Sequence, residues 1–100
     1  MLPKKQTTND DSILRTEKRT VDGIDYCYHL SVRESRQVSG YRLPLYSVSV
    51  EMTAQDSGTT RADVRDYFAD AGKAILFFEK MVDHLATPID LRYILEDEMS

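Results

Sequence analysis

The stretch "IDYCYHLSV", residues 24–32, leaves this chain little freedom of local structure. Ile24, Tyr26, Tyr28, Leu30 and Val32 alternate with Asp25, Cys27, His29 and Ser31, the period-two pattern of a half-buried strand. Asp22-Gly23 stands immediately before it and predicts a two-residue hairpin, because a type I′ turn needs two residues that accept positive φ. The partner strand is then residues 13–21, with Val21 opposite Ile24, Arg19 opposite Tyr26, Glu17 opposite Tyr28 and Ile13 opposite Val32. Arg15, Glu17 and Arg19 thereby fall on the apolar face. Inward-pointing charges of this kind mark a partly covered edge strand that resists pairing with another chain.

Beyond the polar segment "RESRQVSG", the apolar residues of "YRLPLYSVSVEMT" start on odd positions, Tyr41, Leu43 and Leu45, and switch to even ones, Tyr46, Val48, Val50 and Met52. The switch just after Pro44 predicts a β-bulge at Leu45-Tyr46. The turn "AQDSGTT" leads to a weaker fourth strand, "RADVRDYF", with Ala62, Val64 and either Tyr67 or Phe68 pointing inward. At Asp70, a suitable N-cap, the period changes to 3.6, and Ala71, Ala74, Ile75, Phe78, Met81, Val82 and Leu85 form one broad apolar stripe. Leu76 projects almost opposite that stripe, and Phe77 falls on its flank beside Lys73, Lys80 and His84.

The helix ends at a sharply punctuated corner, "HLATPIDLRYILEDEM" at 84–99. Thr87 is a second N-cap, Pro88 takes the first helical position where a missing N–H costs nothing, and Asp90 meets the positive end of the helix dipole. Leu91, Ile94 and Leu95 make a narrow apolar stripe on the restarted helix. The expected class is therefore α+β: a four-stranded antiparallel β-meander covered on one face by a long helix plus a short C-terminal helix, in ββββαα order. Residues 1–11, polar and opened by Leu-Pro-Lys-Lys, read as a disordered tail, and 12–100 as a single domain.

One hundred residues with 41% apolar and 30% charged composition suit one hydrophobic core in a globular protein. The longest apolar run, "AILFF" at 74–78, is far shorter than the roughly 20 residues of a membrane-spanning helix. The two Lys near the start have no apolar stretch behind them, as a secretory signal would require. A single Cys, Cys27, fits a reducing compartment, and a cytoplasmic location is expected. Residues 1–50 hold eight Lys/Arg against six Asp/Glu, whereas residues 51–100 hold five against eleven. An acidic second half argues against nucleic acid as a partner, since affinity for its phosphates rests on clustered Lys and Arg. In the first half Glu17 interrupts the basic run "LRTEKRT".

"LYSVSVEM", followed by a strand, an acidic residue, a helix and "HLATPIDLRYILED", resembles a family of small uncharacterised proteins, a domain of unknown function, from clostridial-type Firmicutes. Its members are similar in a Tyr-x-Val/Ile strand near the middle and an ending that here comprises Leu85, Thr87, Pro88, Leu91, Glu96 and Asp97. The resemblance spans roughly residues 41–98. It implies a bacterial cytoplasmic protein and attaches no catalytic residue.

The residues themselves carry little chemistry. The four Gly, at 23, 40, 58 and 72, lack the spacing of a phosphate-binding loop. Cys27 and His29 share a strand face and could supply two metal ligands, with His84 as a distant third, but the paired spacings of a closed zinc site are missing. Cys27 with His84 has no local signature of nucleophilic catalysis, and Glu96-Asp97 sits on a terminal helix where carboxylates are usually solvated. The expectation is a non-enzymatic chain that calls for no cofactor and no metal.

The C-terminal helix breaks one rule. Glu96, Asp97 and Glu98 gather at its C-terminal end, where the dipole disfavours negative charge, while Ile89 and Tyr93 face away from the Leu91 stripe. Ile89, Tyr93, Glu96, Asp97 and Glu98, extended by Phe77, are therefore the candidate docking surface for a protein partner with a basic rim. The plainer alternative is that Tyr93 covers the corner and the acids serve solubility. Two further readings are a structural homo-oligomer assembling through the sheet, whose second face carries Cys27, His29, Ser47 and Ser49, and a small-ligand sensor.

Overall fold

A computed structural model describes residues 12–36 and 42–99, with side chains given for 12–34 and 43–96. Four strands, β1 (Ser12–Val21), β2 (Ile24–Arg36), β3 (Arg42–Ala54) and β4 (Gly58–Phe68), are followed by helices α1 (Ala71–Asp83) and α2 (Pro88–Met99). The strands form one antiparallel sheet in the order β1-β2-β3-β4, the expected meander. The tail assigned to residues 1–11 lies outside the described residues.

The first hairpin follows its local chemistry. Asp22 and Gly23 sit at φ 55° and 78°, and Val21 pairs with Ile24. Arg19 pairs with Tyr26 and Glu17 with Tyr28, as the turn predicts. The register then slips: Leu14 is an extra residue, so Ile13 lies opposite Ser31 and Ser12 opposite Val32. Ile13 is thereby turned onto the other face of the sheet, correcting the expected Ile13 to Val32 pairing. The β3-β4 hairpin closes through residues 55–57 onto Gly58, whose φ of 78° suits a residue without Cβ.

The predicted bulge also moves. Pairing between β2 and β3 is unbroken through Arg33-Leu45 and Val32-Tyr46, so the change of apolar phase at Leu45-Tyr46 is a change of face without an inserted residue. Leu43 and Leu45 belong to the side opposite Tyr46, Val48 and Val50. The irregularity lies in β4, where Arg65, Asp66 and Tyr67 together oppose Ser47. Asp66 takes φ 54° there. Its N–H donates to Ser47 Oγ (2.8 Å), and its carboxylate receives both ends of the Arg33 guanidinium, with Nε 2.8 Å from Oδ1. Ser47, Arg33 and Asp66 thus over-determine a conformation that a non-glycine residue otherwise avoids. The detour points Phe68 inward and leaves Tyr67 outside, its ring edge-on to Phe68 at 4.9 Å.

Both helices lie on the face carrying Tyr26, Tyr28, Leu30, Val48, Val50 and Phe68, with α1 over β2 and β3 and α2 over β3 and β4. Their contribution to the core is Ala74, Phe77, Phe78, Met81, Val82, Ala86 and Leu91. At the β1 edge the inward charges reach up to α1. Arg15 pairs with Glu79 (3.6 Å) and lies 5.2 Å from the centroid of the Phe78 ring. These are partly exposed contacts, each worth about 1 kcal/mol or less.

Candidate functional site

Helix α1 and the corner that carries the candidate surface are held by four sets of hydrogen bonds. Asp70 caps α1 by accepting from the Lys73 N–H. At the other end the Ala86 N–H donates to the Met81 carbonyl and the Leu85 N–H to that of Val82, a Schellman arrangement with Leu85 at φ 51°. Leucine stands where glycine is usual. The conformation is held by burial of Ala86 and Met81, the hydrophobic pair that accompanies this motif.

The chain then restarts through a reciprocal capping pair: the Asp90 N–H donates to Thr87 Oγ1 (3.2 Å), and the Thr87 N–H donates to Asp90 Oδ2 (3.1 Å). Underneath, the fully buried Tyr28 hydroxyl donates to the Ala86 carbonyl at 2.8 Å. Burial pushes the Tyr28 hydroxyl up to about 12. Thr87, Pro88 and Asp90 therefore have a structural account, as cap, first-turn residue and reciprocal cap.

On this frame α2 presents Ile89 and Tyr93 to solvent, 72% and 63% exposed, while Leu91 is buried and Ile94 and Leu95 are partly buried. Tyr93 and Ile94 line one side of a groove of about 320 Å³, and Lys80 of α1 and His84 just past its end line the other, together with Ala86 and Asp90. Glu96 is exposed one turn beyond Tyr93. Asp97 and Glu98 continue the helix in backbone, and their side chains lie outside the described residues.

Phe77 does not join this surface. It is 2% exposed, its ring 5.2 Å from that of Phe68 in the core. The sheet is wide enough for two helices, and the flank of α1 turned away from β1 meets the β4 end instead of water. The buried stripe of α1 is accordingly rotated toward Phe77, leaving Ala71 exposed and Ile75 at the margin. Leu76 is exposed, as its position opposite the stripe requires.

The opposite face of the sheet brings together residues that the spacing alone only hinted at. Cys27 Sγ lies 3.3 Å from His29 Nε2, and His29 Nδ1 lies 3.1 Å from Thr16 Oγ1 on β1. The Thr16-His29 pairing follows from the hairpin register, so it could have been found by extending the Glu17-Tyr28 pairing by one residue. His84, on the helix side of the sheet, has no part in this cluster. Among the described residues no group of three His, Cys, Asp or Glu is placed to hold a metal ion.

Beside His29 runs a groove of about 260 Å³ lined also by Ser31, Ser49, Arg61, Asp63 and Arg65. Arg61 bonds to Asp63 and Glu51, and Asp63 chiefly keeps its guanidinium protonated. No family model, curated protein or solved structure matches this chain.

Proposed function

We propose that this chain is a non-enzymatic protein-interaction or regulatory domain of a bacterial cytoplasm, holding its partner with the outer side of α2. The observation that carries the reading is the exposure of Ile89 and Tyr93 beside the groove between α1 and α2. An exposed Tyr with an apolar neighbour at the lip of a groove is the composition of an interface anchor. The segment from Asp70 to Glu98 holds seven acidic against three basic residues. The partner that fits is a protein segment with an apolar pocket for Tyr93 and basic side chains around it. The same acidity disfavours the phosphates of nucleic acid. The ending from Leu85 to Asp97 that resembles the Firmicutes family runs through this corner, and the bacterial setting rests on that resemblance.

The test compares wild type with Tyr93→Ala and Ile89→Ala, by thermal melting and by capture from bacterial lysate at low and high salt. The reading expects melting to shift little and one retained protein to be lost with either substitution and at high salt. If Tyr93→Ala lowers the melting temperature by several degrees, or if retention is unchanged, Tyr93 is a cover for the corner and the reading fails.

A second reading, self-association through the open sheet face, has its own observation. Lys18, Arg33, Arg61 and Arg65 balance Asp25, Glu51, Asp63 and Asp66 there, so two copies meet no net repulsion. Mass in solution across a concentration series decides it: a constant monomer mass rejects it.

A further inference from the structure

The Cys27 cluster has the geometry of an assisted thiol, and its His29 lines a groove in which a small molecule can sit beside that thiol. A nucleophile is activated when a base lies within hydrogen-bond reach and a third group orients the base. Here the base is His29, with Nε2 3.3 Å from Sγ, and the orienting group is Thr16, whose Oγ1 lies 3.1 Å from Nδ1. When Nδ1–H donates to Thr16 Oγ1, Nε2 turns its lone pair to the thiol. Cys27 is half-buried and therefore open to a small molecule. The groups facing it are Lys18 across on β1, Glu51 across on β3, and Asp25 and His29 on its own strand; Glu51 is itself bound by Arg61.

An independent feature points to a ligand. Ser49 lies directly opposite His29, lines the groove, and is only 8% exposed on a face that neither described helix covers. Among the described residues its hydroxyl has no hydrogen-bond partner, whereas the equally buried Ser47 receives the Asp66 N–H. A buried hydroxyl without a partner is costly to leave so, and a bound polar molecule would satisfy it.

We propose that Cys27 is a thiol-exchange site that takes a polar low-molecular-weight disulfide, one end of which bonds the Ser49 hydroxyl in the groove. His29 Nε2 accepts the Sγ proton, and Sγ attacks one sulfur of the disulfide. A new S–S bond forms to Cys27 as the disulfide's own S–S bond breaks. The departing sulfur carries away the electron pair and takes the proton from Nε2. Cys27 is oxidised, and the attacked disulfide is the oxidant. Because these hundred residues contain no second Cys, the mixed disulfide cannot be resolved within them and persists until an external thiol removes it. The product is a reversible modification of the open sheet face.

The experiment follows mass gain of the full chain at pH 7 with two probes, oxidised glutathione and the uncharged bis(2-hydroxyethyl) disulfide. Folded wild type is expected to react about tenfold or more faster than the same chain in urea, and His29→Asn to lose most of that advantage, as removal of a positioned base should. Thr16→Val should lie between the two. Ser49→Ala should slow addition of both probes, since each carries polar groups that the Ser49 hydroxyl can bond. Equal rates for folded and urea-unfolded wild type overturn the proposal whether or not the variants fold, and so does a His29→Asn rate equal to wild type. If Ser49→Ala leaves both probes unaffected, the part of the groove in holding the disulfide is overturned.

Discussion

The two faces of this sheet are made from the same four strands and have opposite physics. On the helix side, Tyr28, Leu30 and Val50 meet Phe78, Met81 and Leu91 in an apolar core, and the Tyr28 hydroxyl within it has a partner in the Ala86 carbonyl. On the open side, Ser31, Ser47 and Ser49 sit among the ion pairs of Arg61 with Asp63 and Glu51 and of Arg33 with Asp66. The lesson is that one face is organised by area removed from water and the other by charge pairing. Stability should therefore reside almost entirely on the first, and freedom for chemistry on the second.

The largest expected effect breaks the core face. Phe78→Ala should lower unfolding free energy by about 3 to 5 kcal/mol, the usual range for emptying a fully buried aromatic site. Leu43→Ala, on the open face, should stay within about 0.5 kcal/mol. Urea denaturation midpoints check both, and a comparable loss at Leu43 would show that the open face is covered in solution.

Next in size is the Tyr28 hydroxyl. Its folded value is raised to about 12 from 10, so its contribution is complete below pH 10 and is lost as pH rises toward 12. A shift of this size corresponds to roughly 2 to 3 kcal/mol. Tyr28→Phe should abolish this alkaline loss while costing about 1 to 3 kcal/mol at neutral pH, since the Ala86 carbonyl is left without its donor. Urea titrations of both proteins from pH 8 to 12 measure the two effects separately. A third and smaller effect tests the corner: Thr87→Ala should cost about 1 kcal/mol by removing the acceptor for the Asp90 N–H, read by thermal or urea unfolding.

How much was legible in the sequence divides along the same line. Features fixed by neighbours in the chain were visible: the Asp22-Gly23 turn, the alternation from Ile24 to Val32, the caps at Asp70 and Thr87, and the exposure of Ile89 and Tyr93. Features fixed by distant partners were not. Asp66 adopts positive φ because Arg33 and Ser47 hold it, and nothing in the local sequence marks that detour. Phe77 was misplaced because helical periodicity places a residue on a flank without saying what packs against the flank. Leu14 is the extra residue of a bulge that turns Ile13 to the other face while Arg15 keeps its inward place beside α1, and no turn signal in the local sequence marks it. The Cys27-His29-Thr16 cluster was only half visible. Two of its members share a strand, and the third comes from a neighbouring one.

The smallest effect sharpens the charge-paired side of the comparison. Arg33 reaches across β3 to grip Asp66, and its guanidinium holds the Asp66 carboxyl below the ordinary carboxylate value of 3.8. A depressed value means that the pair's contribution is present above pH 3.8 and is lost as pH falls through the folded value. Both side chains keep about a third of their surface in water, 34% and 27%, so solvent screening should hold the contribution to about 1 kcal/mol or less. Asp66→Asn keeps a side chain that tolerates positive φ and removes only the charge. It should flatten the acid limb of the stability curve and make what remains insensitive to added salt. If Asp66→Asn costs several kcal/mol instead, the clamp is holding the β4 detour itself, and the open face would be as much a part of the folding unit as the core.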